Sequence, residues 1–354
     1  MATKINPRFS EELKKYGSVN MNACYNCGTC TAVCSLSTTE DSFPREMVRL
    51  SALGLEDDIK TSLKPWECYY CGECTTNCPQ TANPGELMMS LRRWLTAKYD
   101  WTGLSGLLYK SMALTIIAML LVFGGVLFFA YSVGFDLEQL LHTGHIFEMV
   151  AIGSIMLVIF VPNLLRMWNF TIRKAGVKAP LKTYFTAMSD FFVHMFTQKR
   201  SRDCDEKDNF RWLEHFVLVL SYLSLLFTTV FLNWFGTENI FIIVFGYVVS
   251  LLIFVVTVDF VGSRMKKKKT LNKFSQPSDW FFVIWLLLMG LTAFLVRLFI
   301  DLNILEMNKW MYIFHLTVLA QWALIIVPFG KWTHFLYRSF AMYFSKIKSL
   351  TVNI

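Results

Sequence analysis

The chain holds nine cysteines, and eight of them fall into two runs of one spacing. Cys24, Cys27, Cys30 and Cys34 form a C-x2-C-x2-C-x3-C run, and Cys68, Cys71, Cys74 and Cys78 repeat it, followed by Pro79. Three thiolates spaced this tightly fit one face of a cubane [4Fe–4S] cluster, while the fourth, displaced along the chain, completes the other cluster. The expected ligation is therefore crossed. Cys24, Cys27, Cys30 and Cys78 would hold the first cluster, and Cys68, Cys71, Cys74 and Cys34 the second. Gly28 and Gly72 supply backbone that curls tightly and turns amide groups toward sulfide. Disulfides do not suit a domain kept on the reducing side of a membrane, and zinc sites use paired C-x2–4-C units. Cys204 stands alone and is expected to be an inert thiol.

Two architectures carry such a double run: a small βαββαβ ferredoxin, and a mostly helical form in which a helical hairpin separates the runs. The residues between them decide in favour of helices. FPREMVRLSALGLEDDIKTSL, from Phe43 to Leu63, places Pro44 near a start and Met47, Val48, Leu50 and Leu53 at helical spacing, without β-branched alternation. After the second run, Pro84 opens the amphipathic stretch GELMMSLRRWLTAKY.

The rest of the chain is of another kind. Of 354 residues, 54% are hydrophobic and 17% charged, which excludes an ordinary cytosolic globular fold. Apolar stretches at 112–133, 146–166, 213–233, 240–260, 280–300 and 310–330 are each long enough to cross a bilayer. Residues 1–20 lack the apolar core of a signal peptide, so the cysteine-rich part is expected to stay inside. Three connections lack Lys and Arg: YSVGFDLEQLLHTGH, NWFGTEN and DLNILEMN. The others carry Arg173, Lys174, Lys178, Lys182, Lys199, Arg200 and Arg202, then the Lys266 to Lys269 run, then Lys331, Arg338, Lys346 and Lys348. That bias, with six crossings, places both termini on the cytoplasmic side of an inner membrane. The formal charge of +8 is accounted for by these loops and does not indicate nucleic acid. Residues 180–211 are too polar to span and suit a helix on the inner surface.

The histidines carry the second chemistry. His215 opens the third span from inside and His334 follows the sixth where it returns inside, so both lie at one depth, as two imidazoles gripping a b-type haem iron must. His315 lies about 28 Å from His334 along an ideal helix, on the outer side, where His145 or His142 is the expected partner for a second haem. The two histidines of the sixth helix would stand roughly 100° apart around that helix, so a kink or local unwinding at Pro328 is needed to bring both rings onto one face. His194 is read as structural. Glu148, Asp259 and Arg297 are ionisable groups within spans and need partners. Glu148 is a candidate to take a proton from a quinol and Arg297 to hold a quinone oxygen or haem propionate, against a structural ion pair for each.

The first hundred residues resemble the iron–sulfur C subunits of heterodisulfide reductases. WLEHFVLVLSYLSLLF around His215 and YIFHLTVLAQWALIIVPFGKWTHFLYR around His315 and His334 are similar to the haem-bearing helices of the gamma subunits of respiratory nitrate reductases. The fusion of both parts resembles the C subunits of quinone-interacting membrane-bound oxidoreductases. The gamma subunits carry a further histidine where this chain has Leu225, so a second haem would need a ligand outside that pattern. No Cys-Cys doublet occurs, which argues against heterodisulfide cleavage by this chain. The resemblance implies an all-α protein: a helical two-cluster ferredoxin domain (1–100), a linker (101–111) and a six-helix cytochrome b domain (112–345). It implies one or two haem b, menaquinone as substrate, flavin-containing A and B subunits as partners and adenylylsulfate reductase as the eventual acceptor, with flow in either direction. Two other readings are a membrane subunit of a heterodisulfide reductase-like complex and a haem-free anchor for the cluster domain.

Overall fold

The structure, a computed structural model, describes residues 4–39, 41–198, 209–231, 239–267 and 270–352. Among these residues every regular element is helical. Cys204, Lys199, Arg200, Arg202, Lys268 and Lys269 lie outside the described residues.

The cysteine-rich part is assembled from short helices: α1 (Phe9–Lys14), α2 (Thr29–Ala32), α3 (Arg45–Leu53), α4 (Glu56–Thr61), α5 (Lys64–Glu67), α6 (Glu73–Thr76) and the long α7 (Pro84–Tyr99). Helix α7 begins with Pro84 at its first position, where a missing N–H leaves nothing unsatisfied. It is buried along most of its length and serves as the axle of the domain. Phe9 and Leu13 of α1, Met47 and Val48 of α3, Ile59 of α4 and Trp66 of α5 close round its Leu87, Leu91, Trp94 and Leu95. The expected hairpin between the runs is present as α3 and α4, with Gly54 (φ 69°) ending α3.

The stretch 101–111, expected as a linker, contains helix α8 (Leu104–Lys110) with Leu104 and Leu107 exposed. Beyond it, among the described residues, lie six helices long and apolar enough to cross a membrane: Met112–Ser132, Leu137–Arg173, Phe210–Val230, Ile240–Lys266, Pro277–Asp301 and Lys309–Thr351. The second and sixth run well past the lengths expected from hydropathy, because polar extensions continue the helix beyond the apolar stretch and pack on the cluster domain. Tyr337, buried in the sixth, meets Trp66 at 5.5 Å and Tyr99 at 5.4 Å between ring centroids. The segment expected as a surface helix forms two short helices, Leu181–Thr186 and Met188–Thr197. One face of it packs on the sixth helix, with Phe191 4.8 Å from Phe340, while Phe185 and Phe192 remain exposed.

The sixth helix is interrupted near Pro328. Its i→i−4 ladder loosens into a π-helical stretch at Trp322–Ile326, Pro328 follows, Gly330 is extended, and the helix restarts at Thr333. A proline lacks the N–H that would bind the preceding turn, and a π-bulge takes up the resulting misfit.

Candidate functional site

The two cysteine runs adopt one local backbone twice. Asn26 and Tyr70 hold φ of 58° and 57°, and Gly28 and Gly72 hold φ of 88° and 92°. At both glycines a side chain would be strained, and immediately after each a single helical turn, α2 or α6, carries Cys30 or Cys74. The twist aims main-chain amides at sulfur. Asn26 N–H donates to Cys24 Sγ at 3.3 Å, Tyr70 N–H to Cys68 Sγ at 3.3 Å and Ala82 N–H to Cys78 Sγ at 3.4 Å. Thr29 Oγ1 lies 3.3 Å from Cys27 Sγ.

Helices α2 and α6 touch, so the two runs face one another. One cavity is lined by Cys34 together with Cys68, Cys71 and Cys74, closed by Phe43, Pro44 and Gly85. Gly85 belongs there because a Cβ would meet Thr75 Oγ1 at 2.8 Å; its N–H instead donates to that oxygen at 3.0 Å. On the other side, Cys30 lies within electrostatic reach of Cys24 and Cys78. Among the described residues no three His, Cys, Asp or Glu side chains converge closely enough for a single metal ion. A tetrahedral zinc, with Zn–S near 2.3 Å, would require sulfurs only about 3.8 Å apart. Cubane ligands each bind a different iron and stand wider apart than that. Burial pushes the Cys34 thiol up to about 11 and raises those of Cys68 and Cys74, so a metal bound there would be what holds them as thiolates. Cys27 is fully exposed, and its hydrogen bonds with Thr29 lower its pKa.

The cradles differ in what surrounds them. Cys68 and Cys74 are buried, and Arg92, from α7, donates to the carbonyls of Pro65 at 2.6 Å, of Trp66 and of Cys68 itself. The Tyr69–Tyr70 pair inside the second run is gripped from the bundle. Arg211, four residues before His215, donates to Tyr70 O at 3.5 Å, and Arg338, four residues after His334, lies over the Tyr69 ring at 5.4 Å. His215 lies within electrostatic reach of His334, and Arg92 and Arg338 lie within reach of both Cys68 and His334. None of these arginines is marked by spacing alone. Arg338 reads as a topology signal, and Arg92 and Arg211 carry no mark in the sequence that sets them apart from other charges.

At the opposite end of the bundle, the neighbours of His315 are visible in detail. Thr292 Oγ1 lies in hydrogen-bond contact with His315 Nδ1 at 2.8 Å and so fixes the orientation of the ring. A metal-binding imidazole is oriented in this way. Tyr312 stands 6.4 Å from the His315 ring and crosses the second helix at Gly144, next to His145. His145 Nδ1 is 4.0 Å from Glu148 Oε2, whereas His142 is exposed. Arg297 is engaged in a two-point ion pair with Asp301, which also accepts from Tyr247 OH at 2.6 Å. Asp259 is exposed beside Ser263, His194 is buried, and Leu225 packs in the apolar core.

A buried ionic junction ties the two parts together. Asp279, at the start of the fifth helix, binds Arg93 of α7 at 2.9 Å and Lys331 at 2.7 Å. It also caps its own helix by accepting from the Gln276 N–H at 3.0 Å. Glu86 is buried close to the same charges, and desolvation raises its carboxyl to about 7.

Residues 23–83 match a family of 4Fe-4S dicluster domains. The eight cysteines of both runs lie inside that match. Over 76 residues the chain is 33% identical to the C subunit of the H(2):CoB-CoM heterodisulfide,ferredoxin reductase of Methanothermobacter thermautotrophicus, covering 22% of this chain and 41% of the relative. The same identity and coverage hold for the corresponding protein of Methanothermobacter marburgensis. The chain thus spans about two fifths of the length of the curated relatives it matches. No solved structure matches. The N-terminal part is a 4Fe–4S electron-transfer domain, and it is followed by a multi-pass membrane part.

Proposed function

We propose that the chain is the membrane electron-transfer subunit of a respiratory oxidoreductase complex, linking menaquinol oxidation to soluble flavin-containing A and B subunits and, through them, to adenylylsulfate reductase. The observation that carries this reading is the bridge at Tyr69–Tyr70: arginines one turn from His215 and one turn from His334 both close on the second cysteine run. Cys68, Cys71, Cys74 and Cys34 hold one [4Fe–4S] cluster, Cys24, Cys27, Cys30 and Cys78 the other, and His215 with His334 a b-type haem. His315 holds a second haem with His145. Bound there, these groups supply one-electron carriers spaced through the chain.

The protein's residues do the rest. Arg211 and Arg338 fix the cluster domain over the bundle, so that the second cradle is the one nearest His334. Arg92 holds three carbonyls and keeps a positive charge beside the buried Cys68, which favours the reduced, more negative state of whatever it ligates. The exposed Cys27 places the first cradle at the surface where a soluble partner docks. Glu148 accepts a proton as quinol is oxidised, with His145 beside it. Arg297, committed to Asp301, holds the end of the fifth helix in place. In this reading both termini are cytoplasmic, and flow is reversible.

A second reading, a membrane subunit of a heterodisulfide reductase-like complex, is favoured by the identity with the methanogen proteins. Both are tested on one preparation of the full chain. A dithionite-reduced spectrum with a haem α-band, and about four to eight times as many irons in clusters as in haem, supports the relay. Reoxidation by a menaquinone analogue assigns the quinone. A preparation with full acid-labile sulfide and no haem band leaves only an anchor.

A further inference from the structure

A cavity of about 230 Å³ opens at the seam between the cluster domain and the bundle, on the side where α8 lies. Its walls come from both parts: Lys15 and Arg93 from the cluster domain, Lys110 from α8, and Lys331 from the break in the sixth helix. These are four cations, and no carboxylate lines the cavity. Arg93 and Lys331 share Asp279 behind the wall. Among the described residues Lys15 and Lys110 take part in no ion pair; Lys110 rests over the Tyr16 ring at 5.3 Å. Deeper in, Met119 and Phe281 make the lining apolar. The rim continues into the exposed Leu104 and Leu107 of α8 and the exposed Met112 that opens the first span.

A cationic mouth at headgroup level above an apolar cleft between spans matches one class of ligand. We propose that the cavity binds the phosphate headgroup of an anionic phospholipid, with Lys15 and Lys110 on the phosphate and the upper acyl chain against Met119 and Phe281. Juxtamembrane lysines attract anionic lipid by Coulomb forces, and basic pockets between spans are known places for such headgroups. A neutral quinone ring would gain little from four cations. A lipid seated here touches the cluster domain, α8 and the bundle at once and so cements the seam through which Arg93 reaches Asp279.

The test uses the full chain in a neutral detergent, followed by thermal unfolding with four added probes: phosphatidylglycerol, phosphatidylcholine of the same chains, inorganic phosphate and a menaquinone analogue. Phosphatidylglycerol is expected to raise the midpoint, phosphatidylcholine and phosphate far less. The Lys15→Gln/Lys110→Gln double variant should weaken phosphatidylglycerol binding about thirtyfold, from roughly one tenfold step and a half for two surface lysines. Both side chains are exposed, so folding is retained, and Lys15→Arg/Lys110→Arg should restore binding. Equal shifts with phosphatidylcholine, a phosphate effect as large as the lipid's, an unaltered response of the double variant, or displacement of the lipid by the menaquinone analogue would each overturn the proposal. Haem content and sulfide are unaffected by any of these outcomes.

Discussion

Replacing Asp279 by asparagine removes one negative charge from a point where it holds two cations from different parts of the chain. The isosteric amide keeps its oxygen for the Gln276 N–H, so the helix cap survives and the loss is electrostatic. Arg93 stands 2.9 Å away and Lys331 2.7 Å, and side-chain exposure is 9% for Arg93, 5% for Asp279 and 27% for Lys331. Deleting one partner of a buried ion pair costs about 3–5 kcal/mol. Lys331 has access to water and recovers part of its hydration, which places the expected loss near ~3 kcal/mol. For 354 residues unfolding as one unit that corresponds to a drop of about 4 °C in the unfolding midpoint. The assay is thermal loss of iron–sulfur absorbance in the purified chain, with a parallel scan of Asp279→Asn/Lys331→Met. Because the second change removes one of the stranded cations, the double variant should be less destabilised than the sum of the single ones. A midpoint for Asp279→Asn indistinguishable from the parent would refute the view that this junction holds the cluster domain on the bundle.

Three further outcomes are expected. Cys34→Ser should deplete the cluster signal of the Cys68 run and leave that of the Cys24 run, and Cys78→Ser the reverse, as read by electron paramagnetic resonance; the opposite pattern would mean that each run ligates its own cluster. His334→Ala should abolish the inner haem band while acid-labile sulfide stays constant, and retention of that band would remove His334 as a ligand. Burial holds the Glu86 carboxyl near 7 against an ordinary 4.5, so the native state binds more protons than the unfolded chain between those values. Stability should therefore fall as pH rises from about 4.5 to about 7 and then level off, and Glu86→Gln should flatten that slope. Parallel profiles for variant and parent would show that Glu86 is not the group responsible.

Much of this architecture is legible in the residues. The cysteine spacing announces the cradles because a cubane face imposes it, and periodicity without β-branched alternation announces the helical hairpin. Hydropathy places six crossings, since the bilayer sets their length, but not the extensions of the second and sixth helices, whose polar residues are stabilised by packing on the cluster domain. The interruption near Pro328 is legible from the proline itself, and the π-helical stretch before it is not. The arginines are not legible. Arg92, Arg211 and Arg338 acquire their roles only when three separate segments converge on the second cysteine run, and a charge at a span end looks the same whether it faces water or a neighbouring carbonyl. Asp279 hides for a similar reason, because an acid at the start of a helix after Pro277 reads as a local cap. Arg297 shows the converse: a charge deep in an apolar sequence is answered one turn away by Asp301.

The unequal shelter of the two cradles also sets how the molecule ages in air. Cys68 and Cys74 are enclosed, while Cys27 and Tyr25 lie open at the rim. Dioxygen, peroxide and chelators would meet Cys27 at that rim before they reach Cys68 and Cys74. In the proposed relay, brief aeration would therefore cut delivery to the soluble partner first, with the membrane end still charged and able to serve again once the outer centre is rebuilt.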